Sequence, residues 1–349
     1  MANKKKLYKA IENNDLEDVK RLLEQGADLH VDDEYPLRLA AKNGHLEVVK
    51  YLLEQGAELD KNNKTLYLAV SYGQLEVVKH LLEQGADLQG TKDYAFRFAA
   101  EYGHLEVVKF LLEHGADLHA DGDYSLREAA WNGQLEVVKY LVEQGANLHA
   151  ENNQALRSAA VNGHLEVVKY LLELGADLHA DDDYALRLAA EFGHLEVVKY
   201  LLKHGADLHA DGDYALRSAA KNGHLEIVKY LLEQGANLHA KNNKALQRAA
   251  KNGHLEIVKY LLEQGGNSDI IHRKILIELF TTCDLQIKET TPRSTSILLK
   301  IKNFKKVYKP SARNRTLSTY NEKIVSSLFI LMYHLYYRPS GPGFFQAIG

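Results

Sequence analysis

Apolar residues recur along most of the chain in short groups that repeat with a period of 30 residues. In residues 183–210, the spacing of Leu186 and Ala190 predicts one short helix. Val198 and Leu201 fall on one face of a second helix in the same stretch. Each period therefore predicts a pair of short amphipathic helices, which we call the first and the second helix of a repeat.

Glycine and Asp or Asn mark the predicted helix ends, because glycine tolerates the left-handed conformation of a C-terminal cap and Asp or Asn favours the N-cap. A Gly-Ala pair follows the second helix at Gly26, Gly56, Gly85, Gly115, Gly145, Gly175, Gly205 and Gly235. Expected N-caps of the first helices are Asn63, Asp93, Asp123, Asn153, Asp183, Asp213 and Asn243. The loop after each pair, as in residues 206–210, is expected to run extended into the next repeat.

A pair of helices this short cannot bury its apolar face alone, so neighbouring repeats must share one core. We expect an all-α solenoid of about nine stacked helix pairs over residues 1–267. Residues 268–349 break the period and form a separate, basic tail. Within the tail, residues 270–280 are expected to form a helix that caps the end of the stack.

One stretch of each repeat carries a family resemblance. Residues 163–178 read Gly-His-Leu-Glu-Val-Val-Lys-Tyr-Leu-Leu-Glu-Leu-Gly-Ala-Asp-Leu, which strongly resembles the second helix and loop of the ankyrin repeat. The similarity covers about residues 5–265 and implies an ankyrin-repeat solenoid that binds proteins. The period is shorter than the family's period of about 33 residues, which implies short finger loops. Units of this length also resemble the ankyrin families of giant DNA viruses of the mimivirus type.

A second departure concerns the family's Thr-Pro-Leu-His motif. Tyr184-Ala185-Leu186-Arg187 stands in its place, so the hydrogen bonds between Thr and His must be replaced. Tyr and Arg are the candidates for that replacement.

Charge divides the chain into two parts. Residues 1–270 carry 30 Lys+Arg against 43 Asp+Glu, whereas residues 271–349 carry 13 against 4. The repeats are therefore acidic, which argues against nucleic acid as their ligand because phosphate contacts need Lys and Arg. Cys283 is the only cysteine, so no disulfide forms within one chain and a reducing, intracellular setting is expected. No apolar run has the length of a secretory signal or a membrane span.

Histidines and acidic loops are the remaining candidates for chemistry. Six histidines begin second helices (His45, His104, His164, His194, His224 and His254), and six lie in loops (His30, His119, His149, His179, His209 and His239). Spread one per repeat, they are too far apart to share one metal ion, so we expect structural hydrogen bonds instead. The loops at 121–123 and 181–183 lack the further ligands of a calcium site. We expect no catalytic residue, no metal site and no cofactor.

Positions that vary while the frame of the repeat stays fixed are candidates for recognition. In ankyrin proteins the end of the first helix and the finger tips face a concave groove. By that resemblance the predicted partner-binding residues are Tyr72, Phe98, Tyr102, Trp131, Val161 and Phe192. The alternative, strongest for Phe98, is that such residues belong to the core between repeats. Acidic loop tips favour a partner with a basic surface.

The tail leaves several interpretations open. Its basic part, residues 290–319, is either a solvated linker, a patch for an acidic partner or nucleic acid, or a nuclear-import signal. The apolar run at 325–337 is a packed tail, a partner-binding helix or a membrane-surface segment. We expect a non-catalytic scaffold for protein–protein interaction, in the host cytoplasm if the protein is viral, with no oligomer implied. The alternative is an adaptor whose tail recruits cellular machinery such as a ubiquitin ligase.

Overall fold

The computed structural model describes residues 2–59, 63–86, 92–267, 285–287 and 299–301. Within these ranges the chain forms eighteen α-helices and two short strands. The helices are α1 (Ala2–Glu12), α2 (Leu16–Glu24), α3 (Val31–Asn43), α4 (Leu46–Glu54), α5 (Lys64–Ser71), α6 (Leu75–Glu83), α7 (Lys92–Glu101), α8 (Leu105–Glu113), α9 (Ala120–Trp131), α10 (Leu135–Glu143), α11 (Ala150–Val161), α12 (Leu165–Glu173), α13 (Ala180–Phe192), α14 (Leu195–Lys203), α15 (Ala210–Asn222), α16 (Leu225–Glu233), α17 (Ala240–Lys251) and α18 (Leu255–Glu263).

Within each of the chain's two compact units the helices pair in chain order, a first helix with the second helix that follows it, from α1 with α2 to α11 with α12 in the first unit and as α15 with α16 and α17 with α18 in the second. The described part of the chain thus confirms the predicted helical class and the number of about nine helix pairs. The strands β1 (Leu285–Ile287) and β2 (Leu299–Ile301) lie beyond the repeats and pair antiparallel, with Gln286 opposite Lys300.

The chain divides into two compact units, Met1–Ala189 and Ala190–Gly349. In the first unit, first helices pack against first helices from α1 to α11, and second helices pack against second helices from α2 to α12. The second unit repeats this arrangement between α15 and α17 and between α14, α16 and α18. The predicted boundary after residue 267 stays a prediction, and the predicted capping helix at 270–280 lies outside the described residues.

Each repeat contributes the same buried positions to the core. In the repeat formed by α9 and α10, Leu126, Ala129 and Ala130 of the first helix and Val138 and Leu141 of the second helix are at most 1% exposed. Burying one Val or Leu side chain stabilises a fold by roughly 1.5–3 kcal/mol. Because both helices present one apolar face, neighbouring repeats supply the cover that a single pair lacks.

The loops between repeats differ from the prediction. They turn instead of running extended, as where the Ala210 amide donates to the Asp207 carbonyl at 3.2 Å. Three successive residues then adopt positive φ before the regular first helix begins, at residues 32–34, 121–123, 151–153, 181–183, 211–213 and 241–243. Asp and Asn tolerate this left-handed conformation better than most residues, which explains their frequency here. The N-cap prediction is therefore wrong for Asp123, Asn153, Asp183, Asp213 and Asn243, whereas Asn63 does occupy the N-cap position of α5.

The buried carboxylate or amide in this slot bridges two repeats. Asp123 is 4% exposed, and its Oδ1 accepts the amide of Asn147 in the next repeat at 2.9 Å. The His119 ring also hydrogen bonds to the same oxygen, at 3.0 Å between Nδ1 and Oδ1. Asn153 makes the corresponding contacts with the Asp177 amide and the His149 ring. The side chain at this position therefore connects two repeats. The N-cap rule considers only neighbouring residues in the sequence and does not predict such a contact.

Arginine holds the left-handed turns from the other side. Arg127 donates to the Asp121 carbonyl at 2.5 Å and Arg187 donates to the Asp181 carbonyl at 2.8 Å. The Arg127 guanidinium also lies 5.0 Å from the centre of the Tyr124 ring, within the range of a cation–π contact. Of the two candidates for replacing the family's Thr–His hydrogen bonds, Arg does bond to the turn, and the expected hydrogen bond of the loop His goes to the buried Asp or Asn of the same loop.

Replacing Asp123 with alanine is expected to lower the free energy of unfolding by about 1–3 kcal/mol, because two hydrogen bonds are lost at a buried position. Asp123→Asn is the matched control and should cost less than about 1 kcal/mol, since an amide accepts the same two bonds at Asn153. Urea denaturation followed by circular dichroism measures both variants. Equal losses in the two variants would show that the negative charge matters rather than the bridge.

Histidine or glutamine at the start of the second helices after α2 forms a further link between repeats. The His104 Nε2 donates to the Ser71 carbonyl of the preceding repeat at 2.8 Å, and Gln134 donates to the Glu101 carbonyl at 3.3 Å. The His104 ring packs against Gly73, where an added Cβ would lie 2.5 Å from Nδ1. These bonds confirm the structural role that the sequence predicted for the histidines at the start of second helices. The contact also explains why the preceding repeat has glycine at the position that the ring covers.

Candidate partner-binding surface

Three consecutive repeats of the first unit each present a large aromatic side chain at the C-terminal end of the first helix. Ala69-Val70, Ala99-Ala100 and Ala129-Ala130 of these helices face the core, so the residue one or two positions later points away from it. Tyr72, Tyr102 and Trp131 are 49%, 48% and 45% exposed. We call these three residues the aromatic strip.

Neighbouring side chains support the strip from below. The half-buried Phe98 stacks on Tyr102 with ring centres 6.4 Å apart, and it meets Tyr67 edge-on at 5.9 Å. Lys42 lies 4.8 Å from the centre of the Tyr72 ring, so a cation already covers one face of that ring. Tyr72 and Tyr102 are therefore held by packed side chains at helix ends, which lowers the entropy lost on binding.

The six residues predicted for partner binding fall into different environments. Tyr72, Tyr102 and Trp131 are exposed, whereas Phe98 is half-buried and contacts the ring of Tyr102. Val161 is only 7% exposed and offers a partner little surface. Phe192 is 54% exposed but belongs to the second unit. The role of each in partner binding stays a prediction.

Two acidic residues that the prediction left out lie beside the strip. Burial raises the pKa of the Glu101 carboxyl, and the negative charge of Glu128 raises it further. The charge of Glu101 raises the pKa of the adjacent Tyr102 hydroxyl, to which it is also hydrogen bonded. The sequence does carry a signal for these two residues, because both are acids at positions that vary between repeats and they belong to consecutive repeats.

Metal binding requires an arrangement of ligand side chains that the described residues do not form. Among the residues that the structure describes, no three His, Cys, Asp or Glu side chains come together as metal ligands. The loop histidines His119 and His149 bind Asp123 and Asn153 instead. Cys283 lies outside the described residues. Over the described part of the chain, no helix is both long and apolar enough to cross a bilayer.

The repeats define the class of protein. The family model for ankyrin repeats (3 copies) matches residues 7–92, 88–152, 126–211 and 186–274, and the chain belongs to the ankyrin-repeat family. A comparison with curated proteins found no match. Ankyrin repeats generally mediate protein–protein interaction, and proteins built from them are typically non-catalytic scaffolds.

Proposed function

We propose that the chain is a binding scaffold that holds a protein partner against the aromatic strip of its first unit. The exposure of Tyr72, Tyr102 and Trp131 in three consecutive repeats is the observation that carries this proposal. In the family to which the chain belongs, this end of the first helices faces the groove that partners use. The proposed partner therefore lies across successive repeats.

Physical chemistry favours such a strip as a binding site. Tyr and Trp each bury about 150–250 Å² and lose little conformational entropy, which makes them common hot spots of protein interfaces. Contiguous exposed aromatics are costly in water and commonly mark interaction surfaces. Tyr102 stacks on Phe98 and Trp131 is the last residue of α9, so formed helix ends present both aromatic side chains.

The double variant Tyr102→Ala/Trp131→Ala is expected to lose at least about tenfold in affinity for its partner, because two central aromatic anchors are removed. Full-length wild type and variant are compared in pull-downs from a cell extract, and every captured protein is then measured by titration. Phe192→Ala is the matched control, since it removes an aromatic side chain of similar exposure from the other unit. Unchanged affinity in the double variant, with an unchanged helical spectrum, would remove the strip from consideration.

The adaptor proposal adds a second task for residues 268–349. Its support is the opposite charge of the two parts of the chain, which gives the tail a chemistry that the repeats lack. We propose for either role an intracellular setting, because Cys283 is the only cysteine. An origin in a giant DNA virus, suggested by the length of the repeat, would place the protein in the host cytoplasm. Deleting the tail separates the two roles, since only an adaptor would keep its partner and lose a ligase.

A further inference from the structure

Two equivalent glutamates, Glu101 in the first unit and Glu191 in the second, stand in different electrostatic surroundings. Both follow the alanine pair of a first helix. Glu191 forms an ion pair with Lys221 of the next repeat at 3.6 Å between Oε1 and Nζ. The Tyr214 hydroxyl also donates to Glu191, at 3.3 Å. In the second unit the chain thus supplies its own cation to this carboxylate.

Glu101 lacks that arrangement. The position equivalent to Lys221 is Trp131, and the position equivalent to Ser218 is Glu128. Within the part of the chain that the structure describes, no Lys, Arg or His pairs with Glu101 or Glu128. Glu128 is near enough to Glu101 for its negative charge to raise the pKa of the Glu101 carboxyl, and both residues are half-buried. The Tyr124 hydroxyl is hydrogen bonded to Glu128, and Arg97 lies over the Tyr124 ring without pairing with either carboxylate.

The surroundings of this carboxylate pair are aromatic. Tyr102 follows Glu101 in sequence and is hydrogen bonded to it. Tyr72 lies near enough to raise the pKa of the Tyr102 hydroxyl. Trp131 follows Glu128 by three positions on α9, so both side chains lie on the same side of that helix. Aromatic faces and carboxylates both attract cations, the former through the ring quadrupole. The aromatic rings together with the two carboxylates therefore favour a ligand that carries positive charge as well as apolar surface.

We propose that the aromatic strip together with Glu101 and Glu128 takes a Lys- or Arg-rich segment of a partner protein. This inference rests on the proposed function and adds the chemistry of the partner. A partner's ammonium or guanidinium group replaces the cation that Lys221 supplies in the second unit. Residues 1–270 carry 30 Lys+Arg against 43 Asp+Glu, and this acidic field steers a basic segment towards the site.

Selection of random peptides displayed on phage against the full-length chain tests the proposal. Selected peptides are expected to be enriched in Lys and Arg. Their synthetic forms should bind the charge variant Glu101→Gln/Glu128→Gln about tenfold more weakly or worse, because two attractive charges are lost at a partly buried site. The variant is expected to fold, since it removes a repulsion. Glu191→Gln is the control and should leave affinity unchanged.

The results also separate this inference from the proposed function. Neutral or acidic peptides that need Trp131 but bind the charge variant normally would leave the strip as a binding site and overturn the basic partner. Peptides that bind the charge variant and Tyr102→Ala/Trp131→Ala as tightly as they bind the wild type would overturn both. The inference is also overturned if selection on the wild-type chain enriches no peptides beyond those that selection on the charge variant enriches.

Two other occupants of the site are distinguished by further measurements. Sedimentation of the full chain that shows self-association, abolished by the charge variant, would assign the site to a second copy. Binding at the same site by a synthetic peptide of residues 299–315, tighter than by the selected peptides, would assign it to the chain's own basic tail. Either result would overturn the assignment to a separate partner.

Discussion

Replacing Phe96 with alanine is expected to destabilise the first unit by about 3–5 kcal/mol, the usual cost of deleting a buried aromatic ring. Phe96 is 0% exposed and lies in α7, at a position that holds leucine in neighbouring repeats. Removing its ring leaves a cavity between repeats that the closely packed alanines Ala99 and Ala100 cannot fill. This loss is a large part of the stability of an ordinary domain.

Phe96→Leu is the matched control, because leucine occupies the equivalent position at Leu66 and Leu126. Volume is nearly retained, so the expected cost is below about 1.5 kcal/mol. Unfolding in urea is followed by the fluorescence of Trp131, which is the only tryptophan and belongs to the first unit. A loss of less than about 1 kcal/mol for Phe96→Ala would contradict the tight packing between these repeats.

The apolar pattern predicted the core well because burial follows helical period directly. Leu186 and Ala190 belong to one helix by their spacing alone, and each is at most 1% exposed. Val198 and Leu201 of the second helix are fully buried, as their spacing predicts. Such features depend on contacts three or four residues apart, or on faces that every repeat shares.

The loops were predicted poorly because their geometry depends on partners in another repeat. Asp123 satisfies the sequence rule for an N-cap, but the Asn147 amide and the His119 ring take its side chain instead. With φ of 56° it lies in a left-handed turn, which no local pattern of the sequence marked. Twenty-four residues separate Asp123 from Asn147, so only the fold brings them together.

The candidate surface was predicted in part for a related reason. The position after the alanine pair is exposed in some repeats and covered in others, which the repeat pattern alone does not distinguish. Trp131 extends beyond the backbone and is 45% exposed, whereas the short Val161 at the equivalent position is 7% exposed. Glu101 is absent from the predicted set because what distinguishes it, the lack of an ion pair, appears only in comparison with Glu191 and Lys221.

Replacing Gly73 with alanine is expected to destabilise the first unit by about 2–4 kcal/mol, the sum of backbone strain and a lost link between repeats. With φ of 71°, this position is left-handed, which costs a residue with a Cβ about 1–2 kcal/mol. The new Cβ would also lie 2.5 Å from His104 Nδ1, so the ring must move. Moving it breaks the bond from Nε2 to the Ser71 carbonyl.

Gly26→Ala separates these two contributions, because Gly26 has a similar φ of 82° and no heavy atom within 4 Å of an added Cβ. It should show the strain alone, about 1–2 kcal/mol. Adding His104→Ala to Gly73→Ala should then cost less than the sum of the single changes, with a coupling of about 1 kcal/mol or more. The same urea titrations give all four values. Equal costs for Gly73→Ala and Gly26→Ala, with additive double changes, would mean that the histidine ring is not what requires glycine in the neighbouring repeat.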